Sequence, residues 1–406
     1  MNTTMSTRLL HLSFCVAVTA LFCGADWAQF RGPGHRGVAT DTNLPTDWSA
    51  KETFAWKADL PGRGASSPIV VKGRVVVTCS SGVKQDRLHV LCFDAKTGKR
   101  LWQREFWATG RTMTHRASSV AAPTPTSDGR LIYAFFSSND LICLDLDGNL
   151  RWLRGLAHDY PKAGNDIGMS ASPLLVGDTV IVQIENQGDS FAAGIDAQTG
   201  KSRWRIERDH RANWCSPTLL SKDGSAERLV LLQSPSGLTA IDAKSGKSRW
   251  KYESQCAGIT SCVSYGGSIF VPSQGVKAIG RSADGKVKLL WKSSKLNPGA
   301  ASPVVNAGRI YTVSNAGVLA CGNASSGEVL WQLRLKGRFW ATPVMAGDYL
   351  YFINSKGLAQ IVQTGDKKAT VVSTYDFGEG IQGSPAVADG AMYVRSDKRL
   401  WKIAGK

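Results

Sequence analysis

A nine-residue segment recurs along this chain, and the recurrence constrains the fold more than any other feature. Asp94-Ala95-Lys96-Thr97-Gly98-Lys99-Arg100-Leu101-Trp102 returns as Asp196-Ala197-Gln198-Thr199-Gly200-Lys201-Ser202-Arg203-Trp204. It returns again as Asp242-Ala243-Lys244-Ser245-Gly246-Lys247-Ser248-Arg249-Trp250. Degraded copies end at Trp152, Trp291 and Trp331, and in a seventh unit Tyr375 is read in the tryptophan's place. A second mark, Ser-Pro or a relative, precedes each copy. Its instances are Ser67-Pro68, Ala122-Pro123, Ser172-Pro173, Ser216-Pro217, Ser261-Cys262, Ser302-Pro303, Thr342-Pro343 and Ser384-Pro385. Eight starts at intervals of about 40–55 residues suit four-stranded propeller blades.

Each unit reads as four short strands divided by Gly-bearing turns; in the sixth they are Pro303–Val305, Arg309–Val313, Val318–Cys321 and Glu328–Leu333. In the Asp-x-x-Thr-Gly turn, Asp and Thr cap local N–H groups and Gly accepts positive φ. The tryptophan that follows lies on the fourth strand, where a flat ring can wedge between blades; the docking set is Trp56, Trp102, Trp152, Trp204, Trp250, Trp291 and Trp331. Two residues before the turn stand Cys92, Cys143, Gly194, Ala240 and Cys321, where cysteine serves as a small core residue.

The ends distinguish a ring from an open solenoid. The eighth unit has strands through Met392–Arg395 and Leu400–Ile403 but stops before a tryptophan strand, and the missing strand, Phe54–Lys57, lies upstream of the first unit. The expectation is an all-β, eight-bladed propeller of four-stranded antiparallel blades over residues 53–406, closed by its N-terminal strand.

Ahead of it, Arg8 and the apolar run Leu9–Phe22 have the length of a signal-peptide core, and Cys23-Gly24-Ala25 offers a cleavage site before Asp26. A lipid anchor on Cys23 is the competing reading, opposed by the bulk of Phe22. The expected organisation is a signal peptide over 1–25, a lead-in arm over 26–52 and a periplasmic or secreted product. Of nine cysteines, seven follow the cleavage point, an odd number and a poor disulfide framework, with Cys256 and Cys262 open as a local pair.

A net charge of +17 favours anionic partners. Much of it falls at the recurrent turns (Lys96, Lys99, Arg100, Lys244, Lys247, Arg249), which reads as a solvated rim or as attraction to anionic envelope polymer or lipid head groups. Export and the lack of a dedicated motif argue against nucleic acid. Gly200-Lys201-Ser202 and Gly246-Lys247-Ser248 lack the upstream glycine of a phosphate loop, and Asp145–Asn149 lacks the distal acidic ligand of a calcium loop. The six histidines form no close ligand pair, so no catalytic residue and no metal site is expected.

Links from each outer strand to the next inner strand cross one face near the axis. They carry Arg63, His115, Arg116, Asp166, Asn213, Trp214, Arg338, Trp340, Glu379 and Gln382, more chemistry than a turn requires. Aromatic walls with a few polar groups suit a small-ligand or peptide mouth. Three arginines against Asp166 and Glu379 point to an anionic guest stacked between Trp214 and Trp340. The bland reading is that both indoles plug the channel.

The repeat resembles the pyrroloquinoline-quinone-like (PQQ-like) eight-bladed propellers, whose docking signature is Ala-x-Asp-x-x-Thr-Gly-x-x-x-Trp; Ala240–Gly246 with Trp250 matches it with Ser for Thr. Trp27-Ala28-Gln29-Phe30-Arg31-Gly32-Pro33, followed by Leu44-Pro45 and Trp48, is similar to the lead-in of exported bacterial BamB-like repeat proteins. The resemblance implies one of two functions, since fold alone does not choose. The first is a non-catalytic envelope scaffold that binds an envelope protein or peptide, or an anionic glycan, acting as a monomer with peripheral membrane association open to it. The alternative is a PQQ-dependent alcohol or sugar dehydrogenase using PQQ and calcium. No two cysteines are adjacent and no Cys-x-x-Cys-His occurs, so the vicinal disulfide and fused haem common in such enzymes are not encoded.

Overall fold

The computed structural model describes residues 26–49, 51–164, 167–220, 228–282 and 285–405. The expected signal peptide lies outside them. Among the described residues the strands form eight four-stranded antiparallel sheets, the blades of a propeller. Blades one to seven use their strands in sequence order. Blade eight (Ala386–Ala388, Ala391–Arg395, Arg399–Ala404) takes Phe54–Asp59 as its outermost strand, with Phe54 opposite Ile403 and Asp59 opposite Arg399. Second strands such as Thr179–Ile184 and Ala391–Arg395 are buried at every position, because blades cover both faces of a middle strand. Fourth strands such as Ala369–Asp376 alternate half-buried with exposed, as an outer strand with one covered face must.

The turn chemistry follows the expected mechanism. Asp94 Oδ1 accepts hydrogen bonds from the Lys96 and Thr97 N–H groups (3.1 and 2.7 Å) and from the Thr97 hydroxyl (2.7 Å), and Asp196 repeats the pattern with Gln198 and Thr199. The glycine has a second role. A Cβ on Gly98, Gly148, Gly200, Gly246 or Gly327 would lie 2.4–2.8 Å from the ring of Trp56, Trp102, Trp152, Trp204 or Trp291, each from the preceding blade. Each of these indoles also donates to a carbonyl in the same turn: Trp56 to Ala95, Trp102 to Leu146, Trp152 to Ala197, Trp204 to Ala243 and Trp291 to Ala324, at 2.9–3.1 Å. Trp331 does the same to Gly365 at 2.9 Å. These tryptophans therefore staple blades eight, one, two, three, five and six each to the next. The turn facing Trp250 includes residues 283 and 284, outside the described set.

In blades one to six a β-bulge follows the residue opposite the tryptophan, and that residue is small: Cys92 faces Trp102, Cys143 faces Trp152, Gly194 faces Trp204 and Cys321 faces Trp331. A Cβ on Gly194 would already sit 2.3 Å from Trp204. All seven described cysteines are free and buried, so Cys256 and Cys262 do not pair.

Blade seven corrects the reading of Tyr375. Its bulge falls between Ile361 and Val362, and the residue opposite Ile361 is Ser373; Tyr375 lies two places further on. A large Ile leaves no room for an indole from its own fourth strand. Trp48 of the lead-in arm supplies the ring instead: it is 1% exposed and stacks on Tyr351 with centroids 6.0 Å apart, its indole N–H donates to the Pro45 carbonyl at 3.0 Å, and its backbone N–H donates to the Ser373 hydroxyl at 3.4 Å. Other docking tryptophans meet a second-strand aromatic at the same spacing, as Trp152 meets Tyr133 and Trp331 meets Tyr311 (6.0 Å each).

The rest of the arm crosses the axis. Trp27 exchanges two backbone hydrogen bonds with Val70 of blade one (2.9 and 3.0 Å), and Ala28 accepts one from Ser127 of blade two. Met345 of blade seven bonds Gly37 and Ala39 (2.8 Å each). His35 is buried within this crossing, and burial together with the Arg31 charge pushes its pKa down to about 3. The unfolded chain protonates that imidazole near 6.5 while the folded chain leaves it neutral. Its contribution is whole above 6.5 and is lost as pH falls toward 3, at up to about 1.4 kcal/mol per pH unit. Burial lowers His89 as well. Melting temperature should fall between pH 7 and 4, and His35→Asn, which tolerates the φ of 56°, should flatten part of that slope. An unchanged slope rules the assignment out.

Candidate functional site

The antiparallel order puts all outer-to-inner links at one end of the ring. A ring of hydroxyls lies just below them, one from each inner strand's approach. The Ser67 N–H donates to Thr124 Oγ1, Thr124 to Ser172, Ser172 to Ser216 and Ser216 to Ser261, all at 2.9–3.0 Å. Ser261 continues to Ser302, Ser302 to Thr342 and Thr342 to Ser384, at 2.9–3.2 Å. In blade two the mark is thus Thr124-Pro125, two residues after the Ala122-Pro123 read from the sequence. The Ser-Pro mark is a structural device: in seven of the eight blades its hydroxyl accepts from the preceding blade.

These eight hydroxyls border a cavity of about 320 Å³ at the axis. Phe30 of the arm enters its lining, and the arm's bonds to Val70 and Met345 lie deeper than Ser67 and Thr342, so the arm forms the floor. His115, Trp214, Trp340 and Gln382 line the cavity, joined by Ile167 and Ile259. The Trp214 indole N–H donates to the Gly168 carbonyl at 2.7 Å, and its backbone N–H donates to Gly258, which holds the ring between links. Trp340 is 41% exposed.

The remaining candidates lie elsewhere. Arg63 donates to the Arg116 and Ser118 carbonyls (2.8 and 2.9 Å) and faces Asp397, bracing a link. Arg116 and Arg338 are exposed, outside the lining. Asn213 is buried and donates to the Gln233 carbonyl at 2.8 Å. Glu379 is ion-paired with Arg399 and accepts from the Ser396 hydroxyl. Asp166 lies outside the described residues. The structure therefore brings the indoles, His115 and Gln382 together and leaves the arginines around them. Among the described residues the lining holds no Asp, Glu, Lys or Arg. Sequence reading missed the hydroxyls, Phe30, Ile167 and Ile259; the hydroxyls were in view as repeat marks, without a signal that they faced the axis.

The same end carries a second feature. Val83 is fully exposed, and Trp107 and Met113 are 64% and 61% exposed. Arg87 pairs with Trp107 across the strands and lies over its ring, and Gln85 of the Val83 turn donates to Thr114, so the three form one patch. Lys84, Arg87 and Arg116 are exposed beside it.

Eight blades joined by docking tryptophans and a hydroxyl ring define a PQQ-like repeat propeller. The family described as outer membrane protein assembly factor BamB matches residues 34–188, 162–270 and 272–373, and the chain belongs to it. No curated protein matches the sequence significantly. Among solved structures, BamB from Moraxella catarrhalis is similar with TM-score 0.63 and 18% identity, covering 87% of this chain and 97% of that one. A europium-containing methanol dehydrogenase gives 0.70 and 13%, covering 94% and 98%. The quinohemoprotein alcohol dehydrogenase from Comamonas testosteroni gives 0.64 and 13%, covering 94% and 81%. At these identities the likeness shows the fold.

The lining decides how well PQQ and calcium fit. Calcium takes six to eight oxygens, with carboxylates prominent, and PQQ is a tricarboxylate that calls for cations. The described lining offers neither, and no cluster of three metal-ligating side chains occurs among the described residues. The residues present do not fit the cofactor.

Proposed function

We propose that this protein is a non-catalytic, exported binding module of the cell envelope. Its guest is an acidic polypeptide segment of an envelope protein, laid across the link face with an apolar side chain in the mouth between Trp214 and Trp340. The neutral lining of hydroxyls and indoles carries this reading, because it suits an uncharged side chain and not a carboxylate-rich cofactor. The exposed arginines and lysines around the mouth supply the complement for the acidic flank.

Fluorescence anisotropy against acidic peptides bearing a central aromatic residue tests this. Trp214→Ala with Trp340→Ala should weaken binding by at least about tenfold while the melt stays near that of the parent, because two stacking contacts vanish and the docking tryptophans remain. A large stability loss with no peptide bound would make the two indoles plugs. Binding of sulfated or carboxylated glycans in place of peptides would overturn the choice of guest. Titration with PQQ and calcium should give no bound quinone spectrum and no dye reduction with alcohols or aldoses; turnover would overturn the non-catalytic reading.

A further inference from the structure

Among the described residues Arg31 is a buried cation without a counter-charge. It is 2% exposed in the arm crossing beneath the cavity, one residue beyond Phe30. Both N–H bonds of its Nη2 are used, to Thr218 Oγ1 (3.0 Å) in blade four and the Cys262 carbonyl (2.9 Å) in blade five. Its Nε and Nη1 meet no acceptor among the described residues, which leaves three of its five N–H groups unmet. The Trp27 indole N–H, whose ring lies against the adjacent Gly32, is a further buried donor without a partner among the described residues.

The surroundings do not neutralise the charge. The guanidinium lies over the Phe30 ring at 5.4 Å, which carries no net charge; its charged-state neighbours are the thiols of Cys262 and Cys215, and burial holds Cys262 up at about 11 and Cys215 well above its ordinary value. Both are neutral at physiological pH. His35 beside it carries no negative charge in either form. Glu185, the buried carboxylate of blade three, is committed to Arg208 at 2.6 Å. Arg31 also holds φ at 63°, a conformation L residues avoid and that persists where surrounding contacts enforce it. An unpaired charge at this depth is strongly destabilising, and orphaned donors alone call for an acceptor.

We propose that Arg31 holds a small monovalent anion, a halide, on the propeller axis beneath the mouth. One negative charge balances one guanidinium. A spherical ion accepts from divergent N–H groups without requiring donors of its own. The ion then acts as a rivet between the arm and blades four and five, so arm closure depends on halide.

Crystals of the full protein equilibrated in sodium bromide, with data collected at the bromine edge, give the direct test. An anomalous peak within hydrogen-bonding distance of Arg31 Nε or Nη1 is the expected result. Ordered water there, or bromide peaks only elsewhere, overturns the proposal whatever the melts show. In parallel, the melting temperature at constant ionic strength should rise by a few degrees and saturate as chloride replaces gluconate. That dependence should be lost in Arg31→Met; if the variant fails to fold, the bromide data from the parent still decide. The site is independent of the guest at the mouth, so loss of peptide binding with the bromide peak retained would refute the proposed function alone.

Discussion

A chain lacking Phe54–Lys57 should lose the parent's cooperative melt altogether. Deletion strips the outer strand from blade eight and bares Arg399–Ala404 as an open edge, a template for non-native pairing. It also removes Trp56, whose ring lies under Gly98 and whose N–H reaches the Ala95 carbonyl, the staple between blades eight and one. Removing a partly buried tryptophan costs up to about 3–5 kcal/mol, and each lost backbone hydrogen bond adds about 0.5–1.5 kcal/mol. Together these approach the whole of a domain's usual ~5–15 kcal/mol. Size-exclusion chromatography and thermal unfolding monitored by circular dichroism measure the outcome, with aggregation or an early, broad transition expected. A truncated chain that melts like the parent would show that the ring is not closed by this strand.

Trp48→Ala should be the most damaging single substitution in the arm, at about 3–5 kcal/mol. The ring occupies the docking place that blade seven cannot fill, stacked on Tyr351 and edge-on to Phe377 at 6.1 Å. The third and fourth strands of blade eight, Arg399–Ala404 and Phe54–Asp59, are not consecutive in the chain, so no turn between them offers blade seven a glycine platform; the arm bridges the gap. Trp48→Phe should recover part of the loss. Tyr375, which packs on Phe54 at 4.5 Å and does not dock on a neighbouring turn, should be milder on replacement by Phe. Denaturant midpoints for the three variants give the ranking. A Trp48→Ala loss below about 1 kcal/mol would leave blade seven's seam explained by something else.

The expected mouth was partly visible in advance. Trp214 and Trp340 stood out because a turn has no need of an indole, and the structure places both in the cavity lining. The charged candidates were read as converging because they share links, but a link has an inner and an outer part. Arg63 braces one link against another, and Glu379 pairs with Arg399. Position along a link does not reveal which way a long side chain turns.

What the sequence by itself determined is the blade. Its turn, its small residue opposite the tryptophan and its stapling glycine recur within about 40–55 residues, so each copy states the same local packing problem and its solution. The closing strand was readable for the same reason, as a missing fourth strand found upstream. Tertiary structure alone decided where the arm lies. Arg31 meets Cys262 across 231 positions and Trp48 meets Ser373 across 325, and neither pair belongs to the repeat. A segment that occurs once has no period to betray its partners. Its place follows from which blades the finished ring leaves incomplete, and that is known only when the ring has closed.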